Sequence, residues 1–277
     1  MQTIRLPSGG TMPKMGQGTW FLGDDPDKHA QEIEALREGI RRGLTLIDTA
    51  EMYGDGRSER LVGEAIADCR DHVFLVSKAT PNHADKRQLI QACEDSLRRL
   101  GTDHLDLYLL HWPGGTPYAE TIAGFEQLQR DGKIAHFGVS NLDVDEMQDF
   151  VSAPGGGACQ VNQLLYNLNQ RGIEWDLLPW LQERGIGMMA YAPFDRPAVI
   201  NNDGLVAFAQ ARDISPAQTA LAWLLDQDHV IPIPKASHPD RVADNAGALD
   251  VALSADDRRE LDRLFPPPDE PRPLQIY

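Results

Sequence analysis

Short apolar runs recur along this 277-residue chain and are separated by longer amphipathic stretches. Most runs lack the alternation of apolar and polar residues seen in half-exposed strands, which is typical of parallel strands covered by helices. Counting PKMGQGTW first, there are eight runs; the others are LTLID, VFLVSK, DLYLLH, HFGVS, CQVNQ, GMMAY and VIPIPK. This order predicts an α/β fold, a closed (β/α)8 TIM barrel. Since roughly 250 residues form one such barrel, we expect residues 1–277 to be a single domain.

The stretches between the runs predict the helices, which are expected at 29–42, 58–68, 86–100, 118–131, 143–151, 175–184 and 216–226. Near the start of the chain, Ser8, Gly9 and Gly10 lie between two short extended runs. This pattern predicts an N-terminal β-hairpin ahead of the first barrel strand. The Pro-rich segment 266–277 follows a helix-like segment and is expected to run over the outside of the barrel.

Charge and composition disfavour several classes of function. A formal net charge of −16 argues against nucleic-acid binding, because a phosphate backbone requires a basic surface. No apolar run approaches the roughly 20 residues that span a bilayer, and no basic and apolar leader is visible, so we expect no membrane partner and a cytoplasmic location. Cys69, Cys93 and Cys159 are widely spaced among apolar neighbours, which favours packed, reduced thiols over a disulfide or a zinc site. No metal site is predicted.

Four polar residues, Asp48, Tyr53, Lys78 and His111, fall at or just after the ends of successive predicted strands. In a (β/α)8 barrel the C-terminal ends of the strands converge on one pocket, so these side chains are expected to meet. Each also has a purely structural explanation, such as helix capping for Asp48 or a backbone contact for His111. Together they form a set suited to proton transfer, and we interpret them as the catalytic residues of an enzyme that interconverts carbonyls and alcohols.

The roles follow from the chemistry of carbonyl reduction. Hydride addition leaves an alkoxide that must be protonated, and a phenol of pKa about 10 is a weak acid unless its anion is stabilised. We expect Lys78 to lower the pKa of Tyr53, and Asp48 to keep Lys78 charged. His111 is expected to orient the substrate carbonyl as a neutral imidazole. No side chain carries hydride, so a nicotinamide cofactor is implied.

The segments that carry these residues, together with GVSNL, QVNQLLYN, MAYAPF and IPIPKASHPDRVADN, resemble the aldo-keto reductase family from beginning to end. Within the family, GLTLIDTAEMY and CEDSLRRLGTDHLDLYLLHW resemble the bacterial methylglyoxal-reducing branch. The resemblance implies that the hairpin closes the bottom of the barrel. No G-x-G-x-x-G follows the first strand, which excludes the usual dinucleotide-binding fold. The resemblance implies instead that barrel loops bind the nucleotide.

By the same resemblance, particular residues are expected to bind the cofactor. Ser140, Asn141 and Gln163 would contact the nicotinamide carboxamide, and Tyr191 would stack on the ring. At the other end of the nucleotide, Lys235 and Arg241 would bind the 2′-phosphate and Asn245 the adenine, which predicts NADPH in preference to NADH. The family often has a hydroxyl residue after this lysine, whereas here it is Ala236.

Trp20, Met52 and Trp112 are candidate substrate-binding residues, with Phe194 a further apolar neighbour. A small-molecule carbonyl compound is the expected partner, the chain is expected to be a monomer, and a tail that covers little of the pocket would leave an open site. Two alternatives stay open at this point. One is a regulatory, cofactor-binding role like that of the auxiliary subunits of potassium channels, which share this fold. The other is a Schiff-base aldolase with Lys78 as the nucleophile.

Overall fold

A computed structural model of the protein describes residues 2–277. Its ten strands are β1 (Thr3–Arg5), β2 (Thr11–Pro13), β3 (Gly16–Gly18), β4 (Leu46–Asp48), β5 (Phe74–Ala79), β6 (Leu105–Leu110), β7 (Ile134–Ser140), β8 (Val161–Leu165), β9 (Gly187–Tyr191) and β10 (Val230–Pro232). Strands β3 to β10 form one parallel sheet in chain order.

The sheet closes on itself just beyond β10. Gly18 in β3 forms a parallel bridge with Lys235, and its N–H donates to the carbonyl of Pro234 at 3.0 Å. A Cβ at position 18 would lie 2.8 Å from the carbonyl oxygen of Ile233, so the two segments approach this closely only because residue 18 is glycine. The predicted (β/α)8 barrel is therefore confirmed.

The α-helices are α1 (His29–Arg41), α2 (Arg57–Ile66), α3 (Lys86–Leu100), α4 (Tyr118–Arg130), α5 (Val144–Ser152), α6 (Leu177–Glu183), α7 (Asp203–Gln210), α8 (Pro216–Leu225), α9 (Pro239–Ala246) and α10 (Ala255–Leu264). The seven predicted helices are all present. Helix α3 has the predicted bounds because Asp85 caps the backbone N–H groups of Arg87 and Gln88, and Gly101 ends the helix in the left-handed conformation. Helix α7 was not predicted, because DGLVAFAQ is too short and too apolar to show a clear polar face.

The N-terminal hairpin is formed by β1 and β2, which pair antiparallel. Its apolar side chains Ile4 and Met12 pack among the residues that fill the barrel interior. Ile4 approaches Gly187, the first residue of β9, and the backbone N–H of Ser8 donates to Gln160 just before β8. The hairpin therefore covers the N-terminal ends of the strands and closes the barrel bottom as predicted.

Apolar packing occurs in two layers, one inside the barrel and a larger one between the sheet and the helices. The three cysteines are free thiols, and Cys93 and Cys159 are buried in the second layer. Leu274 in the Pro-rich tail packs against this outer layer, as expected for a segment outside the barrel. Within residues 2–277, no helix is long and apolar enough to cross a membrane.

Candidate active site

A cavity of about 1090 Å³ lies at the C-terminal ends of the barrel strands. Among the sequence-predicted site residues, its walls include Asp48, Tyr53, His111, Ser140, Asn141, Gln163, Tyr191, Lys235, Trp20, Met52 and Trp112. The barrel thus brings together residues that are more than 200 positions apart in the sequence. Lys78 lies directly behind this wall, and Arg241 and Asn245 lie on α9, outside the cavity lining.

Lys78 is the centre of a buried hydrogen-bonded chain. It is fully buried on β5, and its Nζ donates to Asp48 Oδ2 at 2.7 Å, to the carbonyl of Thr49 at 2.7 Å and to Tyr53 Oη at 3.1 Å. An ammonium has three protons, so these three acceptors satisfy it completely. Asp48 is held in turn by Gln163, whose Nε2 donates to Asp48 Oδ1 at 2.8 Å.

The electrostatics keep Lys78 charged. Burial alone would lower the pKa of Lys78, but the neighbouring Asp48 carboxylate and the Tyr53 oxygen outweigh burial, and the pKa is raised above its ordinary value. A nucleophilic amine needs a free lone pair, and here all three N–H groups are used by acceptors. This arrangement disfavours Lys78 as a Schiff-base nucleophile.

The pKa of Tyr53 reflects two opposing effects, burial and the charge of Lys78. Burial raises the pKa of this phenol above 10, and Asp48 adds to the rise, whereas the Lys78 ammonium opposes it without reversing it. Lys78 therefore acts on this pKa in the expected direction, but burial determines the net shift in the protein without cofactor. Because one edge of Tyr53 opens on the cavity, the ring keeps some access to water. A phenol with a raised pKa is protonated at neutral pH and can act as a proton donor.

His111 follows β6 and faces Tyr53 across the cavity, with a ring-centroid separation of 5.7 Å. Burial lowers the pKa of His111 well below 6.5, and the nearby Lys78 charge lowers it further, so the imidazole is neutral at pH 7 as predicted. Its Nδ1 is buried and has no hydrogen-bond partner among the described residues. The backbone carbonyl of His111 accepts from Asn141 Nδ2 at 3.1 Å, which fixes the loop after β6.

The residues predicted to bind nicotinamide form a connected polar strip along one wall. Asn141 donates to Ser140 Oγ at 3.1 Å and accepts from the Tyr191 hydroxyl at 3.0 Å, and Ser140 Oγ donates to the carbonyl of Gln163 at 2.9 Å. Asn141 has φ +61°, a left-handed conformation that Asn tolerates better than most residues. Gln163 Oε1 accepts no hydrogen bond within the described chain, so one amide acceptor is available to a ligand.

Two cations predicted to bind the 2′-phosphate lie near each other, Lys235 in the cavity lining and Arg241 on α9 outside it. Lys235 is exposed and lines the cavity, and Arg241 is exposed near the start of α9. Neither residue makes an ion pair within residues 2–277. Partial burial of its stem lowers the pKa of Lys235; Glu32 opposes this effect and Arg241 adds to it. His238 caps α9 through the N–H of Asp240. The chain therefore presents unpaired positive charge here despite its acidic composition.

The candidate substrate residues form an apolar mouth. Trp20, Phe21 and Met52 are 42%, 57% and 46% exposed and line the same cavity, and a contiguous exposed apolar patch of this kind is typical of a binding surface. Trp20 stacks on Phe21 with ring centroids 4.5 Å apart, and Trp112 lies against His111 at 4.9 Å. Phe21 was not predicted, and its φ of +68° is a strained conformation that its sequence context does not announce.

The end of the tail also reaches this cavity, which the sequence did not indicate. Ile276 and Tyr277 line the mouth together with Arg196 from the loop after β9. The Tyr277 hydroxyl donates to Asp195, and the guanidinium of Arg196 lies 4.9 Å from the centre of the Tyr277 ring. The expected open site is therefore partly covered, because an exposed tail has no local pattern that shows where its last residues dock.

The sequence of residues 14–265 matches the Aldo/keto reductase family. The chain is 48% identical over 263 residues to methylglyoxal reductase YeaE of Escherichia coli (strain K12), covering 93% of each protein. A crystal structure of an aldo/keto reductase from Klebsiella pneumoniae in complex with NADP and acetate matches with a TM-score of 0.96 and 46% identity over 99% of each chain. Another, in complex with NADPH, matches with the same score and identity over 100% of this chain and 99% of that one.

Fold and sequence together make this protein an oxidoreductase built on a (β/α)8 barrel. More narrowly, the chain belongs to the aldo/keto reductase family. The predicted family is confirmed, and so is the predicted likeness to its bacterial methylglyoxal-reducing branch.

Proposed function

We propose that this protein reduces aldehydes and ketones to alcohols with NADPH as the hydride donor. The observation that carries the proposal is the unbroken chain from Asp48 through Lys78 to Tyr53, with separations of 2.7 and 3.1 Å, ending on the wall of a cavity of about 1090 Å³. A phenol at a cavity wall, backed by a buried ammonium that stays charged, is suited to protonating an oxyanion.

In the proposed reaction, NADPH supplies the hydride when it is bound. Tyr53 donates its phenolic proton to the carbonyl oxygen as negative charge develops there. Lys78 then stabilises the phenolate that remains, and Asp48 balances the Lys78 charge when the phenol is neutral. His111 orients the carbonyl oxygen toward Tyr53 by donating a hydrogen bond from its neutral ring.

Two groups of residues in this chain fit the cofactor. Gln163 has a free amide oxygen and Tyr191 presents a ring at the polar strip, groups suited to a carboxamide and its ring. Lys235 in the cavity lining and Arg241 beside it on α9 provide unpaired cations for a phosphate, even though Ala236 offers no hydroxyl. Similarity to the Klebsiella proteins solved with NADP and NADPH supports NADPH over NADH.

The substrates are proposed to be small 2-oxoaldehydes and aldehydes with an apolar or aromatic group. Around Tyr53 the cavity wall is formed by Trp20, Met52 and Trp112, which suit an apolar substituent. The identity with the Escherichia coli methylglyoxal reductase supports a 2-oxoaldehyde. Monomeric state, cytoplasmic location and the single-domain boundaries at 1–277 stay predictions.

The test is Tyr53→Phe, assayed by NADPH oxidation with methylglyoxal and phenylglyoxal. We expect turnover to fall by roughly 10² or more, because Phe has no proton to donate, while NADPH binding followed by fluorescence stays within about twofold. Turnover near that of the wild type on every reducible substrate would remove Tyr53 from the mechanism. Loss of binding together with loss of activity would point to a cofactor-binding role instead.

A further inference from the structure

Glu51 makes an unusual set of contacts beside the proposed proton donor. Its side chain is 10% exposed, and one carboxylate oxygen, Oε1, accepts from the backbone N–H of Thr80 at 2.8 Å and from the Thr80 hydroxyl at 3.0 Å. The same oxygen lies 2.8 Å from His83 Nδ1. None of these groups takes part in the proton-transfer chain described above.

These contacts join the two segments that carry the proposed catalytic pair. Glu51 precedes Tyr53 by two residues, and Thr80 follows Lys78 by two residues. Two backbone hydrogen bonds join the segments. The first, from the Thr49 nitrogen to the Val76 carbonyl oxygen, is short at 2.9 Å, but the second, from the Glu51 nitrogen to the Lys78 carbonyl oxygen, is long at 3.4 Å. Beyond that point the Glu51 side chain provides the short connection.

Tyr53 is hydrogen-bonded within its own loop, because its N–H donates to the carbonyl of Ala50 at 3.1 Å and its carbonyl accepts from the N–H of Ser58 at 3.3 Å. Apart from the Lys78 side chain, no hydrogen bond in the described residues joins Tyr53 to the segment that carries Lys78. The hydroxyl of Tyr53 has no hydrogen-bond partner other than Lys78 in the described residues, and its ring lies 6.4 Å from Trp20 and 5.7 Å from His111, centre to centre. The backbone that follows is left-handed at three successive residues, 54–56, so no regular element fixes its path. The 3.1 Å separation of Tyr53 Oη and Lys78 Nζ therefore depends on where the loop is anchored.

We propose that Glu51 is a positioning residue for the reduction: by binding Thr80 it holds the loop so that Tyr53 stays within hydrogen-bond distance of Lys78. This inference rests on the proposed function of Tyr53 and Lys78. Glu51 acts through Tyr53 and does not face the large cavity, whose lining includes Met52 and Tyr53 but not Glu51. A displacement of about 1 Å at a reacting group can cost on the order of 10² in rate.

The surroundings of Glu51 make its replacement testable in a folded protein. Glu51, Thr80 and His83 line a second, polar cavity of about 610 Å³ that is open to solvent. Water can therefore reach the Thr80 N–H when the carboxylate is removed, so no buried donor is left unsatisfied.

The experiment compares Glu51→Ala with Glu51→Gln, which keeps an acceptor oxygen, and with Thr80→Val, which removes one donor. Glu174→Ala is the matched control, because Glu174 accepts from Arg171 and the Tyr166 hydroxyl in a partly buried network away from the cavity. We expect Glu51→Ala to lower kcat roughly 10-fold to 100-fold with NADPH binding within about twofold. Thr80→Val should lower kcat less, Glu51→Gln should restore most of it, and Glu174→Ala should lower Tm but leave kcat within about twofold.

A double-mutant cycle with Tyr53→Phe distinguishes positioning from a general structural effect. If Glu51 acts through Tyr53, adding Glu51→Ala to Tyr53→Phe should not reduce the residual turnover further. A further loss by the same factor as in the wild-type background would overturn the proposal, as would Glu51→Ala with wild-type kcat while Tyr53→Phe is inactive. If Tyr53→Phe keeps wild-type turnover, the proposed function of Tyr53 is contradicted, and this outcome is distinct from a failure of the Glu51 proposal.

Discussion

At the buried end of the proposed site, beside Tyr53, the charged groups are paired, whereas at its exposed end the cations Lys235 and Arg241 are unpaired in the described residues. Lys78 and Asp48 are 0% and 2% exposed, and every proton of the ammonium has an acceptor within the protein. Lys235 and Arg241 have no carboxylate partner in the described residues, although acidic residues outnumber basic ones 42 to 26.

The difference fits the roles proposed for the two ends of the site. Groups that act on a developing charge are most effective when they are already oriented in a site from which water is excluded, so their hydrogen bonds are complete in the folded protein. Groups that recognise a phosphate must keep their donors available to the ligand. Burying the paired charges costs part of the free energy of folding, whereas the exposed cations change the stability of the fold very little.

The largest expected effect is that of Lys78→Met at the buried end. Turnover should fall by roughly 10²–10⁴, because the Tyr53 phenolate loses its stabilising charge. Since Lys78 lowers the pKa of Tyr53, its removal raises that pKa, and the rise of alcohol oxidation with pH should move to higher pH. The measurement is kcat/KM against pH in both directions.

The control for this change is Asp48→Asn with Lys78→Met, which avoids leaving a buried carboxylate without a partner. The single variant should lose about 3–5 kcal/mol of unfolding free energy, and the double variant less. An active Lys78→Met enzyme with an unmoved oxidation profile would contradict the electrostatic role.

At the exposed end, Arg241→Ala should weaken NADPH binding by about 1–3 kcal/mol and NADH binding much less, because only NADPH carries the 2′-phosphate. Unfolding free energy should be nearly unchanged, since the side chain is exposed and unpaired. Fluorescence titration with both cofactors measures the difference, and Arg263→Ala on the exposed side of α10 is the matched control. Equal losses for the two cofactors would show that Arg241 does not recognise the phosphate.

A smaller effect concerns acid stability. Burial lowers the pKa of His111 well below 6.5, so folding favours the neutral imidazole. The contribution of this group to the free energy of unfolding is therefore complete above pH 6.5 and is lost as the pH falls from 6.5 toward the lowered pKa. Each pH unit in that range should cost about 1.4 kcal/mol. Urea unfolding at pH 7, 6 and 5 should show a weaker acid dependence for His111→Asn than for the wild type. Parallel curves would contradict the assignment.

The smallest effect is expected at the tail. Tyr277→Phe removes the hydrogen bond to Asp195, a contact between exposed groups worth at most about 1 kcal/mol. KM for phenylglyoxal should therefore change by less than about fivefold, and that for methylglyoxal by less still, because the smaller substrate does not reach the mouth. Identical changes for both substrates would place Tyr277 away from the substrate path.

The same contrast separates what the sequence predicted from what it did not. Strand ends in a barrel converge by geometry, so Asp48, Tyr53, Lys78 and His111 could be placed around one pocket from their positions alone. The degree to which each of these side chains is buried could not be predicted from position alone. The net direction of the Tyr53 pKa could not be predicted, because a sequence shows the charge of Lys78 but not how much water the folded protein removes from around the phenol.

Contacts made by exposed or irregular segments were missed for a related reason. The Tyr277 contact with Asp195 joins residues 82 positions apart, and Glu51 meets Thr80 across 29 positions. Neither segment has a periodic pattern that constrains its neighbours in space. The path of the Pro-rich tail and the path of the Glu51 loop, which contains left-handed residues, are both determined by tertiary packing.

The glycine at position 18 links the architecture of the barrel to its ligand. The first and last strands of the barrel, more than 200 residues apart, meet where Gly18 pairs with Lys235, and both residues also line the cavity. A ligand that contacts both Lys235 and the opposite wall of the cavity can bind only while the barrel is closed at Gly18 and Lys235. By mass action, such a ligand at a concentration 100 times its Kd stabilises the closed ring by about 2.7 kcal/mol. If NADPH binds at Lys235 as proposed, its binding stabilises the closure of the barrel, and the free energy of unfolding should rise with the NADPH concentration.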